Sequence, residues 1–194
     1  MDIITAAVML FLIMDPVGNL PVFLSILRHL PAERRRKVMI RELLISLAVL
    51  LLFLFAGQEI LNLLNLKQEA VSISGGIVLF LIAIRMIFPS DGGVTGLPEG
   101  EEPLIVPMAI PMIAGPSILA ALLLLAHQYP HQMTDWTLAL LLAWSASSII
   151  LMFYEQINRM LGDRVLQALE RLMGMLLVMI SVQMLLDGAV KYLS

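Results

Sequence analysis

The chain has 194 residues, of which 60% are hydrophobic and only 14% are charged, and its formal net charge at pH 7 is −3. Charged residues approach a quarter of an average soluble domain, so this composition and a mean hydropathy of +0.94 exclude an ordinary soluble protein. The absence of cysteine excludes disulfides, thiolate metal sites and a cysteine nucleophile.

Six apolar runs follow one another along the chain, each long enough to cross a hydrocarbon core of about 30 Å as a helix. The fold class predicted is therefore an all-α polytopic membrane protein with six transmembrane helices. The first run lacks the basic start and the cleavage site of a signal peptide, so we expect it to be retained. The predicted spans are residues 3–27, 41–63, 69–88, 104–126, 136–157 and 168–188.

The basic residues are distributed unevenly between the connections. Most of them fall between spans 1 and 2, in "RHLPAERRRKVMIRE", or near the connection between spans 5 and 6. Positive loops face the cytoplasm, which predicts a bacterial inner-membrane protein with both termini in the periplasm. We expect the basic cluster to contact anionic lipid headgroups and not nucleic acid, because it is short and tied between two spans.

The two halves of the chain resemble each other. Pro16 and Pro21 match Pro111 and Pro116 at an offset of 95, and residues 76–88 match residues 174–186 at an offset of 98. Three spans per half is an odd number, so the pattern predicts an inverted-topology repeat. The chain is then a single membrane domain over 1–194, with repeat 1 at 1–88, a cytoplasmic linker at 89–103 and repeat 2 at 104–194.

The paired prolines predict that helices 1 and 4 are broken near the bilayer midplane. Each proline removes an amide and frees the carbonyl four residues before it. We expect Pro21 and Pro116 each to start a second half-helix, whose free N–H groups suit an anionic group.

Polar residues are concentrated in the first repeat, where Asp15 and Asn19 stand opposite Ile110 and Ala114. We expect Asp15 to receive a substrate ammonium or a coupling cation, and the N–H groups near Ser117 to receive a carboxylate, which together suit a zwitterion. The alternative is that Asp15 caps a kinked helix and Asn19 bonds to a neighbouring helix. The predicted substrate-binding residues are Asp15, Pro16, Gly18, Asn19, Pro21, Pro111, Gly115, Pro116 and Ser117.

Four further polar residues, Glu59, Glu155, Ser72 and Ser74, are candidates for gating or coupling, with capping or helix packing as the alternative. The three histidines lie in or beside loops without accompanying ligands, so we expect no metal. No catalytic residue or cofactor is predicted, since the chain has no HExxH, Gly-x-Ser-x-Gly or nucleotide-binding loop, and we do not expect an enzyme.

The segments "MDPVGNLPVF", "SISGGIVLFLIAIRMIF", "AIPMIAGPSIL" and "ERLMGMLLVMISVQMLLDG", in this order, resemble the MarC family of bacterial inner-membrane proteins, most closely its YhgN-like branch. The resemblance covers nearly the whole chain. It departs from the commoner Gly-Pro-Gly of span 4, where this chain has Gly-Pro-Ser. The resemblance implies a six-helix protein grouped with neutral amino-acid transporters.

The predicted function is secondary transport of a small zwitterionic solute, above all a neutral amino acid, because inverted repeats with paired breaks suit alternating access. A passive small-solute channel and a non-transporting membrane scaffold are the alternatives. The expected partners are membrane lipids and a small-molecule substrate, with a proton or sodium ion as coupling ion. Whether two copies form a homo-oligomer stays open.

Overall fold

The computed structural model describes residues 2–28, 30–88 and 105–193, and in these ranges it is entirely helical. This confirms the predicted all-α class. The helices are α1 (Ile3–Met14), α2 (Pro16–Arg28), α3 (Ala32–Leu63), α4 (Gln68–Ile87), α5 (Pro116–Gln128), α6 (Met133–Met152) and α7 (Tyr154–Leu193), with a π-helical turn at Met108–Ile113 and a 3₁₀ turn at Pro130–Gln132.

Within the described ranges, five helical stretches are long and apolar enough to cross a membrane. The fourth predicted span does not supply a sixth of this kind. It contains the π-helical turn, in which Ile110 is non-helical (φ −128°, ψ 128°), and then α5 with only 13 residues. A crossing needs about 20 residues. The qualifying stretches are Ile3–Leu27, Ala32–Leu63, Gln68–Ile87, Pro130–Met152 and Arg171–Leu193.

Two connections expected to be loops are helical. The helix α3 begins at Ala32, directly after Pro31, so most of the basic run forms its first turns. The helix α7 runs for 40 residues, so the predicted loop between spans 5 and 6 is wrong. No proline interrupts the sequence after Tyr154, and a polar stretch without a breaker can continue a helix. The predicted linker at 89–103 lies outside the described residues.

The buried surface lies between the helices. Trp136 and Phe23 are fully buried, and the indole N–H of Trp144 donates to the carbonyl of Leu43 at 3.0 Å, which joins α6 to α3. Many large apolar side chains point outward instead, including Leu12 (67% exposed). An exposed apolar surface of this extent is unfavourable in water and is what a lipid-facing surface requires.

Among the described helices, α4 and α7 make the most extensive contact. A Cβ atom built on Gly76 would lie 3.1 Å from the carbonyl oxygen of Ser181, and one built on Gly174 would lie 3.2 Å from that of Ala83. The two glycines therefore allow the backbones to approach closely.

Candidate functional site

The first helix break is a single residue. Asp15 adopts a left-handed conformation (φ 42°, ψ 62°), which Asp tolerates better than most residues. Its Oδ1 accepts a hydrogen bond from the N–H of Gly18 at 3.0 Å, so it caps α2, which begins at Pro16. The expectation that Pro21 starts the second half-helix is therefore wrong. Pro21 lies inside α2, because the cap and the first-turn proline are both available five residues earlier.

The Asp15 carboxylate lies directly over Gly18. A Cβ atom built on Gly18 would collide with both carboxylate oxygens, so a glycine is required for this placement. Oδ1 is engaged by the cap, whereas Oδ2 accepts no hydrogen bond within the described part of the chain. The side chain is exposed. Asp15 thus has a structural role through one oxygen and offers the other oxygen to a ligand.

Asn19 connects the two helix breaks. Its amide Nδ2 donates to the carbonyl of Met14 at 2.9 Å and to the carbonyl of Met112 at 3.2 Å. Both carbonyls lack their normal helical donor. The N–H of Gly18, which would bond to the Met14 carbonyl in a continuous helix, donates to Asp15 instead. The Met112 carbonyl has no such donor because residue 116 is proline, which has no N–H. One side chain therefore satisfies a freed carbonyl on each side.

The second break is longer and has no side-chain cap. After the π-helical turn the chain passes through Gly115, and α5 begins with Pro116 at its first position, as predicted. Gly115, at the cap position, has no side chain that could bond to the first turn of α5. The N–H groups of Ser117 and Ile118 belong to that turn, where an α-helix supplies no internal acceptor. They are available to an anion.

The two breaks line one small cavity of about 120 Å³, which we call the central cavity. Asp15, Gly18 and Asn19 form one side, and the start of α5 forms another. Apolar side chains such as Leu79 and Leu177 complete the lining. Pro16 and Pro21 are buried in α2 and do not line it. The predicted residues that it brings together are Asp15, Gly18, Asn19, Pro111, Gly115, Pro116 and Ser117.

A second cavity of about 220 Å³, which we call the side cavity, adjoins the first between α4, α5 and α7. Pro116, Ser117 and Met184 line both cavities. Ala120 and Gly188 also line the side cavity, and the rest of its lining is polar or charged, namely Gln68, Glu69, Ser72, Asp187 and Lys191. The central cavity is therefore separated from a hydrophilic space by a wall of three shared residues.

The four gating candidates lie in different places. Ser72 lines the side cavity, and its hydroxyl donates a hydrogen bond to the carbonyl of Met184 at 3.4 Å. Ser74 is exposed and donates to the carbonyl of Val71 at 3.0 Å. Glu59 lines a separate cavity near His127. Glu155 lies in α7, and its side chain is outside the described part of the structure.

Sequence reasoning missed Glu42, which is completely buried in α3. Its Oε1 lies 3.1 Å from Nη2 of Arg41, whereas its Oε2 has no partner among the described residues. The signal was available in helical spacing, because Met39, Glu42, Leu43 and Ser46 share one buried face of α3. The predicted span begins at residue 41, so Met39 lay outside it and the buried face that includes Glu42 was not recognised. Within the described ranges no His, Cys, Asp and Glu cluster could hold a metal ion.

Comparison with known proteins extends over almost the whole chain. A family described as MarC family integral membrane protein matches residues 1–193. The chain is 61% identical over 188 residues to the UPF0056 inner membrane protein YhgN of Escherichia coli (strain K12), with 96% of this chain and 95% of that protein covered. It is 57% identical to a UPF0056 membrane protein of Buchnera aphidicola subsp. Schizaphis graminum, again over 96% and 95% of the two chains.

A more distant relative is a UPF0056 membrane protein of Chlamydia muridarum, which is 32% identical over 92% of this chain and 88% of that protein. No solved structure matches the chain significantly.

Proposed function

Since the chain belongs to the MarC family of integral membrane proteins, we propose that it is a secondary transporter in the bacterial inner membrane that carries a small zwitterionic solute. Neutral amino acids are the first candidates. One observation carries the proposal: a carboxylate with an unpartnered oxygen and an uncapped helix start line the same small cavity.

The two polar ends of the central cavity suit the two charges of a zwitterion. Oδ2 of Asp15 would accept hydrogen bonds from an ammonium group, and the N–H groups of Ser117 and Ile118 would donate to a carboxylate. The apolar wall at Leu79 and Leu177 would contact a short aliphatic side chain. A volume of about 120 Å³ favours a solute of a few heavy atoms over a large one.

The helix contacts support an inverted repeat, because contacts made by one half have counterparts in the other. The contact of α1 with α6 corresponds to that of the π-helical turn with α3, and the contact of α3 with α5 corresponds to that of α6 with α2. The contact of α2 with α7 likewise corresponds to that of α5 with α4. A pseudo-twofold axis relating spans 1–3 to spans 4–6 would produce this pairing, and six membrane-spanning segments follow from it.

The same correspondence holds at the level of residues in the α4–α7 contact. Gly76 faces the Ser181 carbonyl and the Cβ of Met184, whereas Gly174 faces the Ala83 carbonyl and the Cβ of Met86. All three pairs, Gly76 with Gly174, Ala83 with Ser181 and Met86 with Met184, are separated by the offset of 98 residues found in the sequence.

The orientation proposed for the chain follows the positive-inside rule. Most of its twelve Lys and Arg residues lie in or near the connections between spans 1 and 2 and between spans 5 and 6. These connections would face the cytoplasm and leave both termini in the periplasm. The basic first turns of α3 would then contact anionic lipid headgroups, and a proton or sodium gradient would drive transport.

A passive channel is less well supported than a transporter. A channel needs a continuous polar path, whereas Pro21, Val22 and Phe23, which correspond by sequence to Pro116, Ser117 and Ile118, are buried and do not line the central cavity. The hypothesis of a scaffold without transport does not account for the paired helix breaks or for the central cavity that they line.

Reconstitution into liposomes tests the proposal. Purified protein would be offered a panel of labelled neutral amino acids, with and without a pH or sodium gradient, beside protein-free liposomes. We expect saturable uptake of one group of small amino acids that responds to a gradient. Unsaturable flux that is insensitive to any gradient would favour the channel, and the absence of flux for the whole panel would contradict transport of this substrate class.

A further inference from the structure

The two halves of the molecule differ in one respect that the inverted repeat makes visible. Pro116, Ser117, Ala120 and Met184 line the side cavity. The repeat offsets of 95 and 98 residues assign them four counterparts in the other half, namely Pro21, Val22, Ser25 and Met86. We call these four residues the twin position.

The four residues of the twin position are buried. Val22 is 0% exposed, Ser25 is 1% exposed and Met86 is 3% exposed, whereas Ser117 is exposed and Ala120 is half-buried. Within the described residues, positions that line a cavity of about 220 Å³ in one half therefore have buried counterparts in the other half, and the counterparts of the other six lining residues lie outside the described side chains. An inverted-repeat protein that opens to one side only has this asymmetry.

Ser25 is an anomaly in this packed contact. Its hydroxyl oxygen is buried and has no hydrogen-bond partner within the described residues. A buried hydroxyl without a partner is unfavourable, because it loses its hydrogen bonds to water and gains none in exchange. An alanine occupies the equivalent place in the open half, so packing alone does not call for a hydroxyl.

We propose that the chain has a second conformation in which the twin position opens into a water-filled cavity around Ser25 while the side cavity closes. This inference rests on the proposed transporter function. In the conformation described here, the side cavity borders the central cavity, which Asp15 lines, at Pro116, Ser117 and Met184. In the second conformation, access would run past Val22, Ser25 and Met86 from the opposite face of the membrane.

The absence of cysteine makes a thiol-accessibility experiment direct. Ser25→Cys, Ala120→Cys and Ile26→Cys would each be made as the only cysteine and treated in proteoliposomes with a small, charged thiol reagent. Ala120→Cys reports on the side cavity. Ile26→Cys is the matched control, because Ile26 is adjacent to Ser25 in α2 and is 3% exposed. A second set would add Ala120→Trp to Ser25→Cys, since an indole in the side cavity would prevent its closure.

We expect Ser25→Cys to react several-fold faster than Ile26→Cys, and the added Ala120→Trp to suppress that reaction. Equal rates for Ser25→Cys and Ile26→Cys would contradict the proposal, because labelling would then report unfolding or a permanently closed helix. Labelling that is unaffected by Ala120→Trp would also contradict it, because the two cavities would not be coupled.

Transport is measured on the same preparations, so the two proposals can fail separately. Saturable uptake by a protein whose Ser25→Cys never reacts above the control would overturn the second conformation and leave the transporter in place. Coupled labelling without flux of any zwitterion would support the second conformation and contradict the proposed function.

Discussion

The two helix breaks contain the same pair of prolines five residues apart, yet their chemistry differs. At the first break one residue, Asp15, turns the chain and caps the next helix with its carboxylate. At the second break the chain takes a π-helical turn and reaches α5 without any side-chain cap. Pro21 lies inside α2 whereas its counterpart Pro116 starts α5, so the prolines alone do not set the break, and the neighbouring residues decide whether it presents a negative charge or free N–H groups.

Removing the charge from the first break should have the largest effect. Asp15→Asn keeps a side-chain oxygen for the cap and a residue type that tolerates the left-handed conformation. It removes the proposed partner of the substrate ammonium. The Asp15 side chain is exposed, so the applicable cost is that of a hydrogen bond to a charged group, about 1.5–3 kcal/mol, and we expect uptake in liposomes to fall by about ten- to hundredfold.

Asp15→Ala is the control that separates charge from capping. It removes both functions and should also lower the free energy of unfolding by about 1 kcal/mol through loss of the cap. Normal transport by Asp15→Asn, together with a lower melting temperature for Asp15→Ala alone, would leave Asp15 with a structural role only.

Adding a methyl group to the second break should destabilise the protein. A Cβ on Gly115 would lie 2.5 Å from the carbonyl oxygen of Pro111, which belongs to the backbone and cannot rotate away. We expect Gly115→Ala to cost about 2 kcal/mol, measured as a lower thermal unfolding temperature in detergent. Since φ at Gly115 is −80°, the effect is steric and does not come from a forbidden backbone conformation.

Gly18→Ala is the matched change at the first break. The added methyl group collides with the Asp15 carboxylate, which is a side chain and can move. We expect a cost of about 1 kcal/mol, similar to loss of the cap, with a clear decrease in transport. A larger stability loss for Gly18→Ala than for Gly115→Ala would contradict this comparison.

The sequence predicts the class of the fold and the location of both breaks, because hydropathy and proline act locally. It does not predict where the helices begin and end. The helix α2 begins at Pro16 and not at the predicted Pro21, because Asp15 caps it there. The helix α7 begins as early as Tyr154, because no proline interrupts the sequence after that residue. Both outcomes depend on competition between neighbouring signals, which a hydropathy count does not include.

The candidate site, like the fold, has a part that the sequence predicts and a part that it does not. The repeat located the residues that line the central cavity, since equivalent positions meet near a pseudo-twofold axis. The bond from Asn19 to Met112 joins residues 93 positions apart, and the burial of Glu42 depends on the helices packed around α3. A tertiary hydrogen bond such as that of Asn19 leaves no periodic trace in a single sequence, whereas the helical spacing of Glu42 with Met39 and Ser46 was a trace that hydropathy alone did not use.

The link between the two breaks can be tested at Asn19. Asn19→Ala would leave the carbonyls of Met14 and Met112 without their amide donor. A freed polar group costs about 1–3 kcal/mol when buried, and this site is partly buried, so we expect a loss of about 1–2 kcal/mol in thermal stability. Gln58→Ala, which removes an exposed amide bonded to Asn62, is the control and should have almost no effect. Equal melting temperatures for the two variants would show that Asn19 does not hold the breaks together.

The smallest effects test the symmetry itself. Gly76→Ala and Gly174→Ala would each place a methyl group 2.9–3.3 Å from the atoms of the facing helix. Alanine is favoured over glycine in a helix by about 1 kcal/mol, which partly offsets the crowding, so we expect each variant to lose less than about 1 kcal/mol. Because the two glycines face equivalent groups, the two losses in thermal stability should agree.

Gly75→Ala is the control without a symmetric partner. Its methyl group would collide with the ring of Pro116, and the counterpart of Gly75 in the other half is Met173. If Gly76→Ala and Gly174→Ala differ as much from each other as either does from Gly75→Ala, the α4–α7 contact is not symmetric.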